Sequence, residues 1–311
     1  MTKKIAIVGL GIGSVYKEQA EQRGYLVDTV DSNPAMKATF RSSLELARKS
    51  DTFYDLIIIC TPNDLHALHF EHLRDCSDNF IIEKPGFKDS VTLKEILENN
   101  PQKFITIAKN NIYREWPDEK LFLTGLNSLD IFWINKNRVP KPGSWFTKKG
   151  CAWGGVSRDL LPHLLHMYWA LFKNLNSPVF SEANQVYSLQ DLDSSEYGEI
   201  DPNGTYDVDD HVCVKFTEAG TPINLISSWK DVTGQESRIR IKFNDGSETC
   251  SEIELGLCQN ECYGKMMDDI MSANSDRKKL LNDIDYWTQS IIDCIPVSDK
   301  FPKYMHEIVN S

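Results

Sequence analysis

A glycine-rich segment near the start of the chain has the spacing of a phosphate-binding turn. Residues 9–14 read Gly-Leu-Gly-Ile-Gly-Ser, directly after a short apolar run and before a helix-like stretch. In such a turn Gly9 would form the tight bend, and Gly11 would let a pyrophosphate approach the backbone at the helix N-terminus. Ser14 stands in place of the third glycine and is small enough for close packing of helix on strand. The segment predicts dinucleotide binding through Gly9, Gly11, Ile12 and Gly13.

A carboxylate follows at the position that distinguishes NAD from NADP. Asp31 ends the second predicted strand, about 20 residues after Gly11, where a carboxylate accepts hydrogen bonds from the adenosine ribose and repels a 2′-phosphate. Two other interpretations stay open. The glycines could form a strand-to-helix turn without a ligand, and Asp31 could be a helix N-cap or turn residue ahead of Asn33 and Pro34. Because the glycines and the carboxylate agree with one site, we predict NAD as the cofactor and disfavour NADP.

Alternating elements would position these residues. Up to about residue 120 the chain alternates β-rich runs with amphipathic stretches, and strands joined by helices pair in parallel. The predicted strands are residues 4–8, 26–30, 55–60, 79–83 and 104–108, and a helix is predicted over residues 89–99. Parallel sheets bind ligands at the carboxyl ends of their strands, which is where the glycine turn and Asp31 fall.

The pattern changes from residue 127 onward. A strand over residues 128–134 and a long apolar helix over residues 158–172 precede several strand candidates without intervening helices. Those candidates are residues 178–189, 212–216, 223–229, 238–243 and 249–255, and helix-like stretches follow at 263–271 and 278–294. Strands without helical crossovers predict a mainly antiparallel second sheet. We therefore predict two domains, 1–122 and 123–311.

Composition excludes several classes of partner. The 311 residues are 41% hydrophobic, which is enough for a sizeable core, and acids outnumber bases 45 to 34 for a net charge of −11. That charge opposes binding to nucleic acid or anionic lipid. No apolar stretch approaches the roughly 20 residues of a membrane span, and the N-terminus has no signal-peptide pattern. The eight cysteines form no Cys-x-x-Cys motif, so we expect reduced thiols and a cytoplasmic location.

Further motifs, taken in order, resemble one enzyme family. Cys-Thr-Pro-Asn-Asp-Leu-His (60–66) follows the third predicted strand, and Glu-Lys-Pro (83–85) follows the fourth. In the second half, Gly-Ser-Trp-Phe (143–146) precedes Gly-Gly-Val-Ser-Arg-Asp-Leu-Leu-Pro-His (154–163), and Val-Asp-Asp (208–210) precedes a strand. Over roughly residues 4–230 the chain resembles the glucose–fructose oxidoreductase / inositol dehydrogenase / MocA family.

This resemblance implies an α/β fold in two parts. An N-terminal Rossmann domain would bind NAD, and a C-terminal α/β domain with a mainly antiparallel, open-faced sheet would bind substrate and join copies into a homodimer or homotetramer. Members typically oxidise a secondary hydroxyl, or reduce the matching ketone, on a sugar, polyol or sugar nucleotide. The cofactor contacts implied by the motifs are Thr61, Pro62, Asn63, His66, Glu83 and Lys84.

Carried over residue by residue, the resemblance places Lys84, Asp159 and His163 at catalytic positions. Hydride transfer from a carbinol needs a base for the hydroxyl proton and a positive group near the oxygen. The His163 imidazole suits the first role and the Lys84 ammonium suits the second. Asp159, four residues before His163, would share its helix face and either contact substrate or stabilise the imidazolium.

Departures from the family pattern leave the substrate open. His166 stands where the family has an acid, which makes it the competing proton acceptor, and residues 109–114 replace a commoner aromatic form. A metal held by Asp159, His163 and His166 would lack an identifiable fourth ligand, so no metal is predicted. The predicted substrate contacts are Lys84, Arg114, Trp145, Asp159, His163 and His166.

Three functions are compatible with these residues. The leading hypothesis is an NAD-dependent oxidoreductase acting on a sugar, polyol or sugar derivative. One alternative is a non-catalytic, nucleotide-dependent sensor or regulator, because a shared fold does not fix function. The other is a reductase of a different carbonyl or an imine, reached by changes around His166 and residues 109–114.

Overall fold

The computed structural model describes residues 2–116, 125–194, 198–231, 238–244, 251–255 and 258–299. The described residues of Met1–Arg114 and Cys258–Ser290 form one compact unit, and those of Glu115–Leu257 and Ile291–Ser311 form a second. No helix among the described residues is long and apolar enough to cross a membrane.

Strands and helices of the described residues are numbered here in chain order. The strands are β1 (Lys4–Val8), β2 (Leu26–Val30), β3 (Leu56–Ile59), β4 (Asn79–Ile82), β5 (Phe104–Ile107), β6 (Ser128–Ile134), β7 (Phe180–Asn184), β8 (His211–Glu218), β9 (Thr221–Ser228), β10 (Arg238–Asn244), β11 (Ser251–Glu254) and β12 (Val297–Ser298). The helices are α1 (Gly13–Gln22), α2 (Ser43–Lys49), α3 (His66–Leu73), α4 (Ser90–Asn99), α5 (Lys149–Ala152), α6 (Val156–Asp159), α7 (Leu161–Phe172), α8 (Glu261–Ser272) and α9 (Ser275–Asp293).

The first unit contains a parallel five-stranded sheet in the order β2-β1-β3-β4-β5. A single parallel bridge between Val30 and Phe40 continues the sheet beyond β2. The parallel sheet confirms the prediction, and each strand lies within one or two residues of its predicted bounds. The strand order reverses between β1 and β3, so the crevice at their carboxyl ends is the place where such sheets bind ligands.

Apolar side chains cover both faces of this sheet. Alternate strand residues point to opposite faces, and β3 is buried along its whole length. One face packs Val8, Ile57 and Ile82 with side chains of α2, α3 and α4, namely Leu46, Phe70 and Leu93. The other packs Ile7, Ile58 and Ile81 with side chains of α1, α8 and α9, namely Tyr16, Met266 and Leu281.

The C-terminal helices therefore belong to the first unit. The sequence-based division at residues 122 and 123 placed them in the second domain, whereas the structure packs residues 258–290 on the parallel sheet. Their amphipathic pattern indicated helices but carried no information about which sheet they would cover.

The second unit contains a seven-stranded mixed sheet in the order β11-β10-β6-β9-β8-β7-β12. Four strand pairs are antiparallel, and the β6–β9 and β7–β12 pairs are parallel. The mainly antiparallel sheet confirms the prediction. Helix α7 is buried from Leu161 to Leu171 and packs against β6 and β9.

The helix predicted over residues 158–172 is interrupted between α6 and α7. Pro162 has no N–H, and its ring excludes the carbonyl group four residues earlier. The His163 N–H instead donates to the carbonyl oxygen of Leu160, at 3.1 Å. The prediction of one continuous helix was therefore wrong at Leu160, and Asp159 and His163 lie on either side of the break.

A buried ion pair fastens α9 to β5 in the first unit. The Lys109 ammonium lies 2.7 Å from a carboxylate oxygen of Asp285, and both side chains are 1% exposed. Lys109 also donates to the Thr106 hydroxyl, while the second Asp285 oxygen accepts the Ile107 N–H at 3.0 Å. Burial lowers the pKa of Lys109 and raises that of Asp285, and each opposite charge counters that shift.

We expect Asp285→Asn to reduce the free energy of unfolding by about 3–5 kcal/mol, because it leaves the Lys109 ammonium buried without an opposite charge. Chemical denaturation measures the loss. The matched control is Asp283→Asn on the exposed side of the same helix, which should change stability by no more than about 0.5 kcal/mol. Equal effects of the two substitutions would contradict a stabilising role for the pair.

Candidate functional site

The turn after β1 brings its backbone against the end of β3. Gly9 has φ +88°, and a Cβ at this position would lie 2.7 Å from the Cys60 carbonyl oxygen, so no other residue fits without a shift. A Cβ on Gly11 would meet nothing within 4 Å, which leaves the outer side of the turn open. The exposed side chain of Ile12 stands beside that opening, at the start of α1.

The glycine that packs α1 onto the sheet is Gly13. A Cβ there would lie 3.0 Å from the Ile7 side chain, which is the close approach expected of the third glycine. Ser14, to which sequence reasoning gave that role, instead donates its hydroxyl to the carbonyl oxygen of Leu10. The packing role is thus shifted by one residue from the sequence-based assignment.

Asp31 fixes the same turn from the end of β2. One carboxylate oxygen accepts the Leu10 N–H and the other accepts the Asn33 N–H, both at 2.8 Å. The predicted carboxylate and the predicted glycine turn are therefore in direct contact. Each carboxylate oxygen keeps a further lone pair that could accept a ligand hydroxyl.

Two loops at the carboxyl ends of β3 and β4 are joined by His66. The loop after β3 carries Thr61, Pro62 and Asn63, and His66 begins α3 directly after it. The two His66 ring nitrogens lie 2.7 Å from the Gly86 carbonyl oxygen and 2.9 Å from that of Thr61. Only a protonated ring donates to both oxygens, and burial opposes that charge by lowering the pKa of His66. His66 thus positions the two loops.

Glu83 holds the backbone of the loop that carries Lys84. Its buried carboxylate accepts the Tyr16 hydroxyl at 2.6 Å and the Lys84 N–H at 3.1 Å, ahead of a cis Lys84–Pro85 peptide bond. Burial, followed by the Glu83 charge, raises the pKa of Tyr16 well above its usual value, so the phenol remains a donor. Sequence analysis missed Tyr16, which lies 67 residues from Glu83 along the chain.

In the second unit, a capping aspartate anchors α6. The Asp209 carboxylate accepts the backbone N–H groups of Gly155 and Ser157, at 2.9 and 2.7 Å. A Cβ on Gly155 would fall 1.8 Å from the Asp209 carbonyl oxygen, so this position requires glycine. Two motifs singled out in the sequence, residues 154–163 and 208–210, therefore form one local structure that positions Asp159.

Tryptophans contact two of the predicted catalytic side chains. The Trp229 indole N–H, at the end of β9, donates to a carboxylate oxygen of Asp159 at 2.9 Å. The His163 ring lies 5.4 Å from the Trp133 ring, centroid to centroid. His163 is 9% exposed, whereas His166 is 1% exposed. Neither Trp133 nor Trp229 was predicted from the sequence, because their contacts depend on where β6 and β9 lie in the folded sheet.

The remaining predicted substrate contacts have protein partners of their own. Trp145 is half-buried and stacks on Phe146, with ring centroids 3.8 Å apart. Arg114 is also half-buried and donates to the Asn111 side chain at 3.2 Å. Among the residues that the structure describes, no group of three or more His, Cys, Asp or Glu side chains could hold a metal ion.

A buried carboxylate–imidazole–carboxylate cluster lies beside Trp229. His211 Nδ1 is 2.7 Å from Asp210 and Nε2 is 3.4 Å from Asp231. Burial disfavours the imidazolium, but the hydrogen bonds and charges of the two carboxylates outweigh it and raise the pKa of His211. The Asp210 carbonyl oxygen accepts the backbone N–H of Trp229 at 3.0 Å, so the cluster supports the residue whose indole contacts Asp159.

A curated protein shares low sequence identity with part of this chain. No family model matches the chain. A protein of Amycolatopsis mediterranei (strain S699), named as the oxidoreductase subunit of a UDP-kanosamine synthase, is 24% identical over 186 residues. The match covers 53% of this chain and spans about half, 50%, of the length of that curated relative.

Solved structures share the fold over nearly the whole chain. Levoglucosan dehydrogenase with NADH and levoglucosan is 15% identical, with a TM-score of 0.70 over 94% of this chain and 97% of that one. GenD2 from gentamicin A biosynthesis, with NAD, is 16% identical, with a TM-score of 0.67 over 93% of each chain. The WlbA dehydrogenase of Thermus thermophilus, with NAD and α-ketoglutarate, is 14% identical, with a TM-score of 0.66 over 99% of this chain and 100% of that one.

These structural neighbours are dehydrogenases of the glucose–fructose oxidoreductase / inositol dehydrogenase / MocA type. The resemblance seen in the sequence motifs is therefore confirmed as a shared fold.

We expect the stability supplied by His211 to depend on pH. Its folded pKa is raised, so its contribution is complete below the unfolded value near 6.5 and is lost as pH rises through the folded pKa. His211→Gln should therefore destabilise most at about pH 5 and progressively less toward about pH 9, as measured by denaturant unfolding. Tyr187, whose pKa burial and nearby carboxylates raise to about 12, stays neutral over this range.

His69→Gln is the control with the opposite sign. Burial lowers the folded pKa of His69 to about 4, so this residue weakens the protein as pH falls below its unfolded pKa. Its replacement should give a relative gain in stability at acid pH. Parallel pH profiles for the two variants would contradict the assignment for His211.

Proposed function

We propose that this protein is an NAD-dependent oxidoreductase that transfers a hydride between nicotinamide and a secondary alcohol, or the matching ketone, of a sugar, polyol or sugar derivative. The observation that carries the proposal is the Asp31 carboxylate, which binds the Leu10 N–H of the glycine turn at 2.8 Å. A carboxylate held there accepts hydrogen bonds from the ribose hydroxyls and repels a 2′-phosphate. Solved structures of this fold with bound NAD or NADH support the same cofactor.

The residues around the glycine turn fit a dinucleotide. Gly11 leaves the outer side of the turn open, and α1 directs its N-terminus there, so a pyrophosphate would meet backbone N–H groups. Beyond Asp31, the proposed contacts lie on the three loops that follow β1, β3 and β4. They are Gly9, Gly11, Ile12, Gly13, Thr61, Pro62, Asn63, His66, Glu83 and Lys84. When bound, nicotinamide would supply the hydride chemistry.

Proton transfer is assigned to the second unit. His163 is the proposed proton acceptor, since imidazole is the side chain that most often serves as a general base for a hydroxyl proton. Asp159, fixed by the Trp229 indole N–H, would stabilise the resulting imidazolium or orient the substrate. Lys84 would stabilise negative charge on the reacting oxygen, and Glu83 fixes its backbone. His166 is the competing proton acceptor.

Substrate contacts are proposed for Lys84, Arg114, Trp145, Asp159, His163 and His166. The name of the Amycolatopsis mediterranei relative supports sugar nucleotides among the candidate substrates. We also propose that the protein is cytoplasmic and forms a homodimer or homotetramer through the sheet of the second unit. Analytical ultracentrifugation would test the oligomeric state.

The decisive experiment is turnover with a panel of sugars, polyols and sugar nucleotides, followed by the near-ultraviolet absorbance of NADH. We expect NAD reduction with at least one compound, or NADH oxidation with the matching ketone. Lys84→Met should lower kcat by roughly 10²-fold or more while nearly preserving NAD affinity. Lys88→Met, an exposed lysine on the same loop, should leave kcat unchanged. NAD binding without turnover in either direction would support the sensor alternative, and NADH oxidation that requires an added amine would support an imine reductase.

We expect Asp31→Asn to weaken NAD binding and to reduce the preference for NAD over NADP by about tenfold, because it removes the charge that repels a 2′-phosphate. Titration with both cofactors measures the preference. Asp51→Asn, an exposed residue, provides the control for net charge. If the NAD/NADP ratio of dissociation constants stays at its wild-type value, the cofactor site is misassigned.

We expect His163→Asn to fold, bind NAD and lose activity by about 10²–10⁴-fold, the usual contribution of a general base. The acid-side ionisation in the pH profile of kcat/KM should disappear with the imidazole. His166→Asn is the matched comparison three residues away. Loss of activity and of the acid limb in His166→Asn, with both retained in His163→Asn, would assign the proton to His166.

A further inference from the structure

Trp133 stands where the apolar core of the second unit ends. Near the end of β6 it pairs with Ile239 of β10 on one side and with Ser227 of β9 on the other. Two residues earlier in the same register, Ile131 pairs with Leu225, and both side chains are fully buried. Side chains two residues apart on a strand share a face. Along this face, buried apolar pairs therefore give way to an aromatic ring and a hydroxyl.

The accessible part of Trp133 is ring carbon. The residue is half-buried, and its indole nitrogen is buried. Strands β10 and β9 pair with the two edges of β6, so the backbone of Trp133 is covered as well. The surface that this side chain offers is apolar and aromatic. The hydride-transfer proposal assigns no role to it.

An imidazole and a carboxylate lie at the same end of these strands. The His163 ring is 5.4 Å from the Trp133 ring and tilted by 36°, so the imidazole stands beside the indole without lying flat on it. Trp229, two residues after Ser227, donates its indole N–H to Asp159 at 2.9 Å. Helices α6 and α7 thus bring both polar groups next to the aromatic surface.

An aromatic surface beside groups that bind hydroxyls suits a six-membered sugar ring. Equatorial hydroxyls radiate from the edge of such a ring, whereas its axial C–H groups make each face apolar. One face can then pack on an indole while the hydroxyls at the edge reach polar side chains. An open-chain polyol has no rigid ring and presents no such face.

We propose that Trp133 is a specificity-determining residue of the substrate site, and that the substrate contains a six-membered ring, a pyranose or a cyclitol, which stacks one C–H face on the indole. A hydroxyl at the edge of the stacked ring then reaches His163. This inference rests on the proposed function and narrows its substrates to cyclic compounds.

Saturation-transfer NMR of the full chain with NAD tests the stacking without turnover. The cyclic probes are D-glucose, N-acetyl-D-glucosamine and myo-inositol, and the open-chain comparison is sorbitol. We expect transfer to the ring C–H protons of at least one cyclic probe, with a dissociation constant about tenfold or more below that of sorbitol. Absence of transfer to all three cyclic probes, or equal affinity for sorbitol, would overturn the proposal.

Substitutions of Trp133 test the residue itself. Trp133→Leu keeps an apolar side chain without a ring and should weaken binding of the cyclic probe by about tenfold. Trp133→Phe keeps an aromatic face and should restore most of that affinity. Phe132→Leu is the matched control, because the neighbouring residue on a strand points to the opposite face of the sheet. Wild-type affinity in Trp133→Leu, or an equal loss in Phe132→Leu, would contradict the stacking role.

Kinetics separate this inference from the proposed function. With an active substrate, Trp133→Leu should raise KM by about tenfold and change kcat much less, because stacking holds the ring equally before and during hydride transfer. An unchanged KM would overturn the role of Trp133. If the wild type shows no turnover but binds a cyclic probe that Trp133→Leu loses, the proposed function fails and the ring-binding site stands.

Discussion

The backbone of Gly9 lies against the carbonyl group of Cys60, with no room for a side chain between them. This contact brings the ends of β1 and β3 together at the point where the strand order of the parallel sheet reverses. The rest of the first-unit site is arranged around it: Asp31 binds the turn from one side, and the loops joined by His66 lie on the other. Gly155 has an equivalent part in the second unit, where a backbone carbonyl of Asp209 occupies the space of a Cβ.

Local sequence signals predicted the elements and the turns well. The alternation of apolar runs with amphipathic stretches predicted the parallel sheet, and the glycine spacing indicated the turn that Asp31 contacts. Pro162 was visible in the sequence, yet the apolar run around it suggested a continuous helix. In that case the missing N–H determined the backbone more strongly than the hydrophobic pattern did.

Long-range partners could not be predicted in the same way. Tyr16 contacts Glu83 across 67 residues, and Trp229 contacts Asp159 across 70. Such pairs depend on strand order and on helix placement, which short sequence patterns do not encode. For the same reason the amphipathic pattern of α8 and α9 predicted helices but not the sheet that they cover.

The path of the chain between the two units has a consequence for protein synthesis. The parallel sheet is complete at Ile107, but Met266, Ile270 and Leu281, which cover one of its faces, follow more than 150 residues later. While the ribosome makes the intervening part, that face of the nascent sheet lacks these side chains and exposes apolar surface to water or to a chaperone. A contiguous N-terminal fragment would keep this exposed face permanently. An isolated first unit would therefore have to be made by joining residues 1–114 to residues 258–290.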